Sequence, residues 1–202
     1  MFARPAAGNA LRMSQLLDGK RIAILATDGV ERRELEEPRA AVHDAGGDTE
    51  LLSLKAGQID ARNHDLEEAG TFRVDREVGE AKVAEFDALL IPGGTVNADK
   101  LRLDDAAVAF VREFVNSGKP VGVICHAPWT LIEAGVVAGR RMTSWPSLRT
   151  DLLNADADWV DQEVVKCDRG ANVLVTSRKP DDLPAFCREL VAVFAARTSA
   201  AR

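Results

Sequence analysis

Cysteine is scarce in this chain of 202 residues: only Cys125, Cys167 and Cys187 are present. Their odd number and wide separation exclude a small disulfide scaffold, and no pair has the spacing of zinc ligands. Reduced thiols in the cytoplasm are therefore expected, with no metal. Histidine is as sparse, with His43, His64 and His126 and none beyond, which rules out a nucleophile served by a distant downstream His-x-Glu pair. Excess positive charge is missing too. A net charge of -6 and a pI near 5.2 give no general attraction to phosphate backbones or anionic lipid, so neither a nucleic acid nor a membrane is expected as a stable partner. The leader segment from Pro5 to Ala10 is too short and polar for a signal-peptide core. No G-x-S-x-G, G-x-G-x-x-G or G-x-x-x-x-G-K-[ST] run occurs, which removes the usual site motifs of serine hydrolases, dinucleotide enzymes and P-loop proteins and leaves no cofactor implied.

What remains is a composition of 46% hydrophobic and 29% charged residues, suited to one soluble domain with a full core. Residues 1–19 read as a flexible N-terminal arm in which Met13 is a second candidate initiator, and 20–202 as a single domain. Arg21 to Ala26 is an apolar strand closed by Thr27-Asp28-Gly29. A helix with Pro38 in its first turn and a stop at Ala45-Gly46-Gly47 leads to a strand from Thr49 to Leu54. The polar stretch 55–80 carries weak β signals and predicts a small hairpin or an interaction surface. Phe86 to Ile91 is a buried strand ending at Pro92-Gly93-Gly94. Ala107, Phe110, Val111, Phe114 and Val115 then mark one helix face, and the strand Val121 to Ile124 runs straight into Cys125. Helices near 127–134 and 147–154, a hairpin through Asp168-Arg169-Gly170 and a final helix carrying Leu183, Phe186, Leu190 and Phe194 complete the pattern. Strands alternating with helices imply an α/β fold, a largely parallel sheet covered on both faces, with ligands at the strand C-terminal ends.

Three such ends carry unusual residues: Glu31 after the first strand, Pro92-Gly93-Gly94, and Cys125-His126. A cysteine on a tight strand-to-helix turn stands clear of the sheet, where the backbone N–H groups of the next helix favour a thiolate and a developing oxyanion. Cys125 is the candidate nucleophile, against the plainer reading of a buried thiol. His126 is a candidate base or oxyanion donor, although neighbouring residues on a turn need not face each other. Glu31, just past a core strand, is a candidate protonated acid, and Gly94 a second oxyanion donor.

Three segments in order, Val121-Gly122-Val123-Ile124-Cys125-His126-Ala127-Pro128, Phe86 to Gly94, and Val175 to Phe186, resemble the PfpI family of the ThiJ/PfpI superfamily over about residues 20–196. The resemblance implies a flavodoxin-like three-layer α/β/α sandwich related to class I glutamine amidotransferases. It also implies a homo-oligomer, dimer or hexamer, with its active site between subunits. It makes Cys125 the nucleophile, His126 its companion, Glu31 the acid near the thiol, Gly94 the oxyanion glycine, and Asp99 the acid reaching a neighbouring subunit's histidine. The family commonly has glycine where this chain has Ala127. The expected function is a cysteine-dependent, stress-protective enzyme acting on methylglyoxal or on glycated protein or nucleotide adducts. The alternatives are an intracellular peptidase and a non-enzymatic oxidation sensor or chaperone.

Overall fold

Continuous apolar runs dictate the centre of the molecule. In the computed structural model, which describes residues 15–196, the strands β1 (Arg21–Leu25), β3 (Asp48–Ser53), β7 (Ala88–Ile91), β8 (Val121–Ile124) and β12 (Leu174–Ser177) lie parallel in one sheet. Its full order is β11-β12-β8-β7-β1-β3-β6, with β6 (Arg76–Glu77) at one edge and β11 (Val164–Cys167) antiparallel at the other. The five central strands follow the doubly wound order 2-1-3-4-5 of flavodoxin-like folds. Side chains alternate across this sheet. Ala23, Leu25, Leu89, Ile91, Val121 and Val123 join one buried cluster, and Ile22, Ile24, Ala88, Leu90 and Val175 the other. Both faces are thus apolar, which is why the strands read as unbroken hydrophobic runs.

Helix α1 (Arg32–Asp44) and the C-terminal helix α6 (Leu183–Ala195) cover the second face. On the first face lie α3 (Asp105–Asn116) and the short α4 (Pro128–Glu133). Asp104 starts α3 by accepting a 2.8 Å hydrogen bond from the Ala107 N–H, and Pro128 sits in the first turn of α4, where its missing N–H costs nothing. Helix α5 (Arg149–Asn154) and the small β9 (Arg141–Met142) and β10 (Asp158–Trp159) pack beyond them.

The predicted hairpin in 55–80 is present as β4 (Gln58–Asn63) and β5 (Glu67–Arg73). The two-residue β2 (Val30–Glu31) adds parallel to β4, so the hairpin is tied to the loop after β1. One expectation about α1 needs correction, and one element was not anticipated. Helix α1 begins at Arg32, and Pro38 lies inside it on the buried face with Glu34, Leu35 and Val42. A further helix, α2 (Thr95–Arg102), follows the Pro92-Gly93-Gly94 turn directly. Of the predicted arm, residues 1–14 lie outside the described residues. Residues 15–19 form turns, with Leu17 fully buried and its N–H donating to the Ala45 carbonyl at 2.8 Å. Among the described residues no helix is long and apolar enough to cross a membrane.

Candidate active site

The strand order reverses between β1 and β7, and ligands of such sheets sit in the crevice beyond the strand ends at that point. The loop after β1, the Pro92-Gly93-Gly94 turn after β7 and the elbow after β8 meet there. Cys125 has φ of 63°, a left-handed conformation costing about 1–3 kcal/mol for a residue with a side chain. Its neighbours hold it in place. The Cys125 N–H donates to the Ser177 carbonyl at 3.1 Å, and its own carbonyl accepts from the Trp145 N–H at 2.9 Å. The elbow turns the side chain toward His126, whose Nδ1 lies 3.1 Å from Sγ, so the two adjacent side chains do face each other.

Gly93 and Gly94 are there because no side chain fits. A Cβ on Gly93 would lie 2.5 Å from both the Cys125 Cβ and the Glu34 Oε2, and one on Gly94 would collide with the Gly29 carbonyl. Gly94 also has φ of 95°, readily adopted only by glycine. This close approach leaves the backbone N–H groups of Gly94 and His126 near the Cys125 sulfur, where both favour its anion. Asn97, fully buried, fastens the loops together: its Oδ1 accepts from the Thr27 N–H at 2.7 Å and its Nδ2 donates to the Pro92 and Gly93 carbonyls.

The acid beside the thiol is Glu34, not Glu31. Because α1 starts at Arg32, Glu34 projects from its first turn under the elbow. It is fully buried beside the thiol and its Oε2 accepts the Gly93 N–H at 3.0 Å, while its Oε1 has no hydrogen-bond partner in the protein. Burial, reinforced by the nearby Glu31, pushes this carboxyl well above the usual carboxylate range, so it stands beside the sulfur as a protonated donor. Glu31 lines the same cavity but is engaged elsewhere. Its Oε2 accepts the His64 N–H at 2.8 Å, and the nearby Asp65 N–H also favours the carboxylate.

The expected thiolate is also revised. Burial, then the adjoining Glu34, pushes the Cys125 thiol well above the usual thiol range, against the pull of the Gly94 and His126 N–H groups. With Glu34 protonated its charge no longer counts, but the desolvation remains, and the resting sulfur keeps its proton. His126 moves in the complementary direction: burial lowers its pKa, opposed by the Asp65 charge, so a neutral imidazole faces a protonated thiol. The ring is held between Trp145, stacked at 5.8 Å between centroids, and Trp129 at 5.3 Å.

The remaining walls come from residues that the sequence reading did not single out. His64 and Asp65 at the tip of the β4–β5 hairpin, Thr95 at the start of α2, and Trp145 and Pro180 enclose, with the groups above, a cavity of about 310 Å³. Nothing in the spacing of His64 or Asp65 marks them, since a hairpin 60 residues upstream of the nucleophile reaches it only through the fold. Asp99 does not join this constellation. It lies on the exposed side of α2, away from the cavity lining. Among the described residues no group of three or more His, Cys, Asp or Glu side chains is arranged to hold a metal ion.

An acid-flanked cysteine elbow at the switch point of a doubly wound sheet is the site of a cysteine-centred α/β protein. The DJ-1/PfpI family model matches residues 20–193, and the chain belongs to that family. It is 44% identical over 177 residues to protein/nucleic acid deglycase 2 of Escherichia coli, covering 88% of this chain and 99% of that protein. It is 42% identical over 175 residues to general stress protein 18 of Bacillus subtilis, covering 87% and 98%. Among solved structures, a two-domain protein of Anabaena variabilis containing DJ-1/ThiJ/PfpI-like and ferritin-like domains superposes with a TM-score of 0.77 at 32% identity, over 86% of this chain and 47% of that longer one. Schizosaccharomyces pombe DJ-1 shares the fold at 22% identity with a TM-score of 0.73, over 85% of this chain and 90% of its own.

Proposed function

We propose that the chain is a cysteine-dependent, stress-protective enzyme of the cytoplasm that converts methylglyoxal, or its adducts with protein and nucleotide amino groups, to lactate. The observation that carries this reading is one shielded thiol, 3.1 Å from an imidazole nitrogen and beside a fully buried carboxyl, at the floor of a small cavity. The deglycase and stress-protein names of the relatives at 44% and 42% identity support it. His126 Nδ1 takes the Cys125 proton as sulfur adds to the aldehyde carbon, giving a hemithioacetal. With an amine adduct, the same attack displaces the amine, which leaves with a proton. Oxygen taking up charge is met by the N–H groups of Gly94 and His126 and by the Glu34 carboxyl. Transfer of the hemithioacetal C–H proton to the neighbouring carbonyl, through an enediol, leaves a thioester with a hydroxyl on the adjacent carbon. Water then hydrolyses the thioester, releasing lactate and restoring the thiol. Glu34 takes the proton-carrying role expected of Glu31.

Peptidase action fits less well, because a sulfur with 6% exposure at the base of a cavity of about 310 Å³ suits a small carbonyl compound better than an extended chain. The test is lactate formation from methylglyoxal. It is expected to vanish in Cys125→Ala, to fall at least 100-fold in Glu34→Ala and His126→Ala, and to persist in Asp99→Ala. A Cys125→Ala variant that still makes lactate overturns the reading, and cleavage of unfolded casein without lactate formation replaces it with the peptidase. A homo-oligomer closing over the cavity is part of the same proposal. Leu66, next to the cavity-lining Asp65, is 87% exposed, an apolar side chain at the mouth of the site for a second copy to cover.

A further inference from the structure

The tip of the β4–β5 hairpin is built at a cost. His64 and Asp65 have φ of 53° and 64°, two successive left-handed residues, neither of them glycine, where an unconstrained hairpin favours Asn-Gly or Gly-Gly. Strain of this kind persists where the surroundings over-determine it. Glu31 supplies part of that constraint by accepting the His64 backbone N–H at 2.8 Å, with the Asp65 N–H also drawn toward its carboxylate. The other part is the Asp65 side chain. Its Oδ1 accepts the Thr95 N–H at 2.7 Å and its Oδ2 accepts the Thr95 hydroxyl at 2.7 Å. The same hydroxyl oxygen lies 3.3 Å from Nε2 and 3.5 Å from Nδ1 of His126. Its single hydrogen goes to the nearer carboxylate, leaving the oxygen lone pairs toward the imidazole.

We propose that Asp65 is a positioning residue for the nucleophile of its own chain: through the Thr95 hydroxyl it orients His126 and stabilises the imidazolium that forms when Nδ1 takes the Cys125 proton. One proton passes from Sγ to Nδ1, the positive charge spreads over the ring, and no proton reaches Asp65. A role as an N-terminal cap of α2 accounts for the Oδ1 contact alone. It leaves unexplained why the second oxygen holds the hydroxyl that faces the ring. The ionisable groups around His126 are Cys125 on its own turn, Glu34 and Glu31 from α1 and the residue before it, and His64 and Asp65 from the hairpin. Of these, Asp65 is the one whose charge raises the basicity of the imidazole. The proposal concerns the acid–base state of Cys125 and His126, and so holds or fails independently of which carbonyl compound, or peptide, the site accepts.

The substitution Asp65→Asn tests it, because asparagine caps a helix as well as aspartate does while it removes the charge and turns the atom facing the Thr95 hydroxyl from acceptor to donor. Two readouts need no substrate: the titration of the His126 imidazole by NMR, its signal identified by loss in His126→Ala, and the rate of Cys125 alkylation by iodoacetamide at pH 7, read on the Cys125 peptide by mass spectrometry. In Asp65→Asn the His126 midpoint is expected to fall, and alkylation to slow about tenfold for each pKa unit lost. Thr95→Val should move both readouts the same way, and Thr95→Ser, which restores the hydroxyl, should return them to wild type. A purely structural Asp65 gives the opposite sign. Loosening the site admits water, which raises the His126 midpoint toward the ordinary imidazole value, since burial is what depresses it. A midpoint that rises or stays put in Asp65→Asn overturns the proposal. Should that variant fail to fold, Thr95→Val decides by the same criterion.

Discussion

A carboxyl group with no charged partner, sealed under a thiol, has a measurable consequence at the scale of the single residue. Glu34 has a folded pKa raised above its unfolded value, so the folded chain binds its proton over a range where the unfolded chain has released it. Its contribution to stability therefore declines as pH rises from about 4.3, the unfolded value, toward the folded one. Glu34→Gln keeps the shape and removes that decline. The variant is expected to melt a few degrees above wild type at pH 7, about 2–4 °C per kcal/mol in a domain of this size, and to lose the advantage near pH 4 while giving little lactate. Equal melting temperatures at both pH values would mean that the carboxyl is not held protonated. The cysteine elbow and its histidine were legible in the sequence, because an apolar strand that runs into Cys-His defines an elbow by itself. The acid was not. Glu31 and Glu34 are three residues apart, and only the start of α1 decides which of them turns inward.

At the scale of the element, that helix start is what the sequence reading placed too late. Pro38 suggested a first turn, yet its ring occupies the buried face beside Leu35 and Val42, and the packing gained there offsets the missing hydrogen bond. The hairpin has its own signature. Glu31 accepts the His64 backbone N–H at the strained tip, so Glu31→Ala is expected to speed amide hydrogen exchange at residues 63–67 and to slow Cys125 alkylation several-fold. Glu31→Gln, which still accepts, should protect the tip nearly as wild type does. Unchanged exchange in Glu31→Ala would show that the tip holds itself. Helix α2 escaped notice because Thr95 to Arg102 lacks a long apolar face. Its buried positions are Asn97, Ala98 and Leu101, and its start is capped from 30 residues away by Asp65.

At the scale of the whole molecule, the doubly wound order brings three loops together at one edge of the sheet, and two apolar faces hold the strands in register. The cavity opens beside a hairpin whose tip exposes Leu66. If a second copy covers that tip, Leu66→Asp should shift the protein toward monomer in sedimentation velocity while leaving its melting temperature within about 1–2 °C, as is usual for an exposed position. A dimer or hexamer that withstands the change would place the subunit contact elsewhere.

From the sequence came the fold class, the succession of strands and helices along the chain, and the position of the cysteine elbow, because each follows from periodicity and from turn chemistry within a few residues. Tertiary structure alone decided which acid meets the thiol, that the sulfur rests protonated, and that a hairpin 60 residues upstream reaches His126 through Thr95. Those outcomes depend on burial and on through-space charge, and a side chain's distance from water and from other charges is set only when distant segments pack.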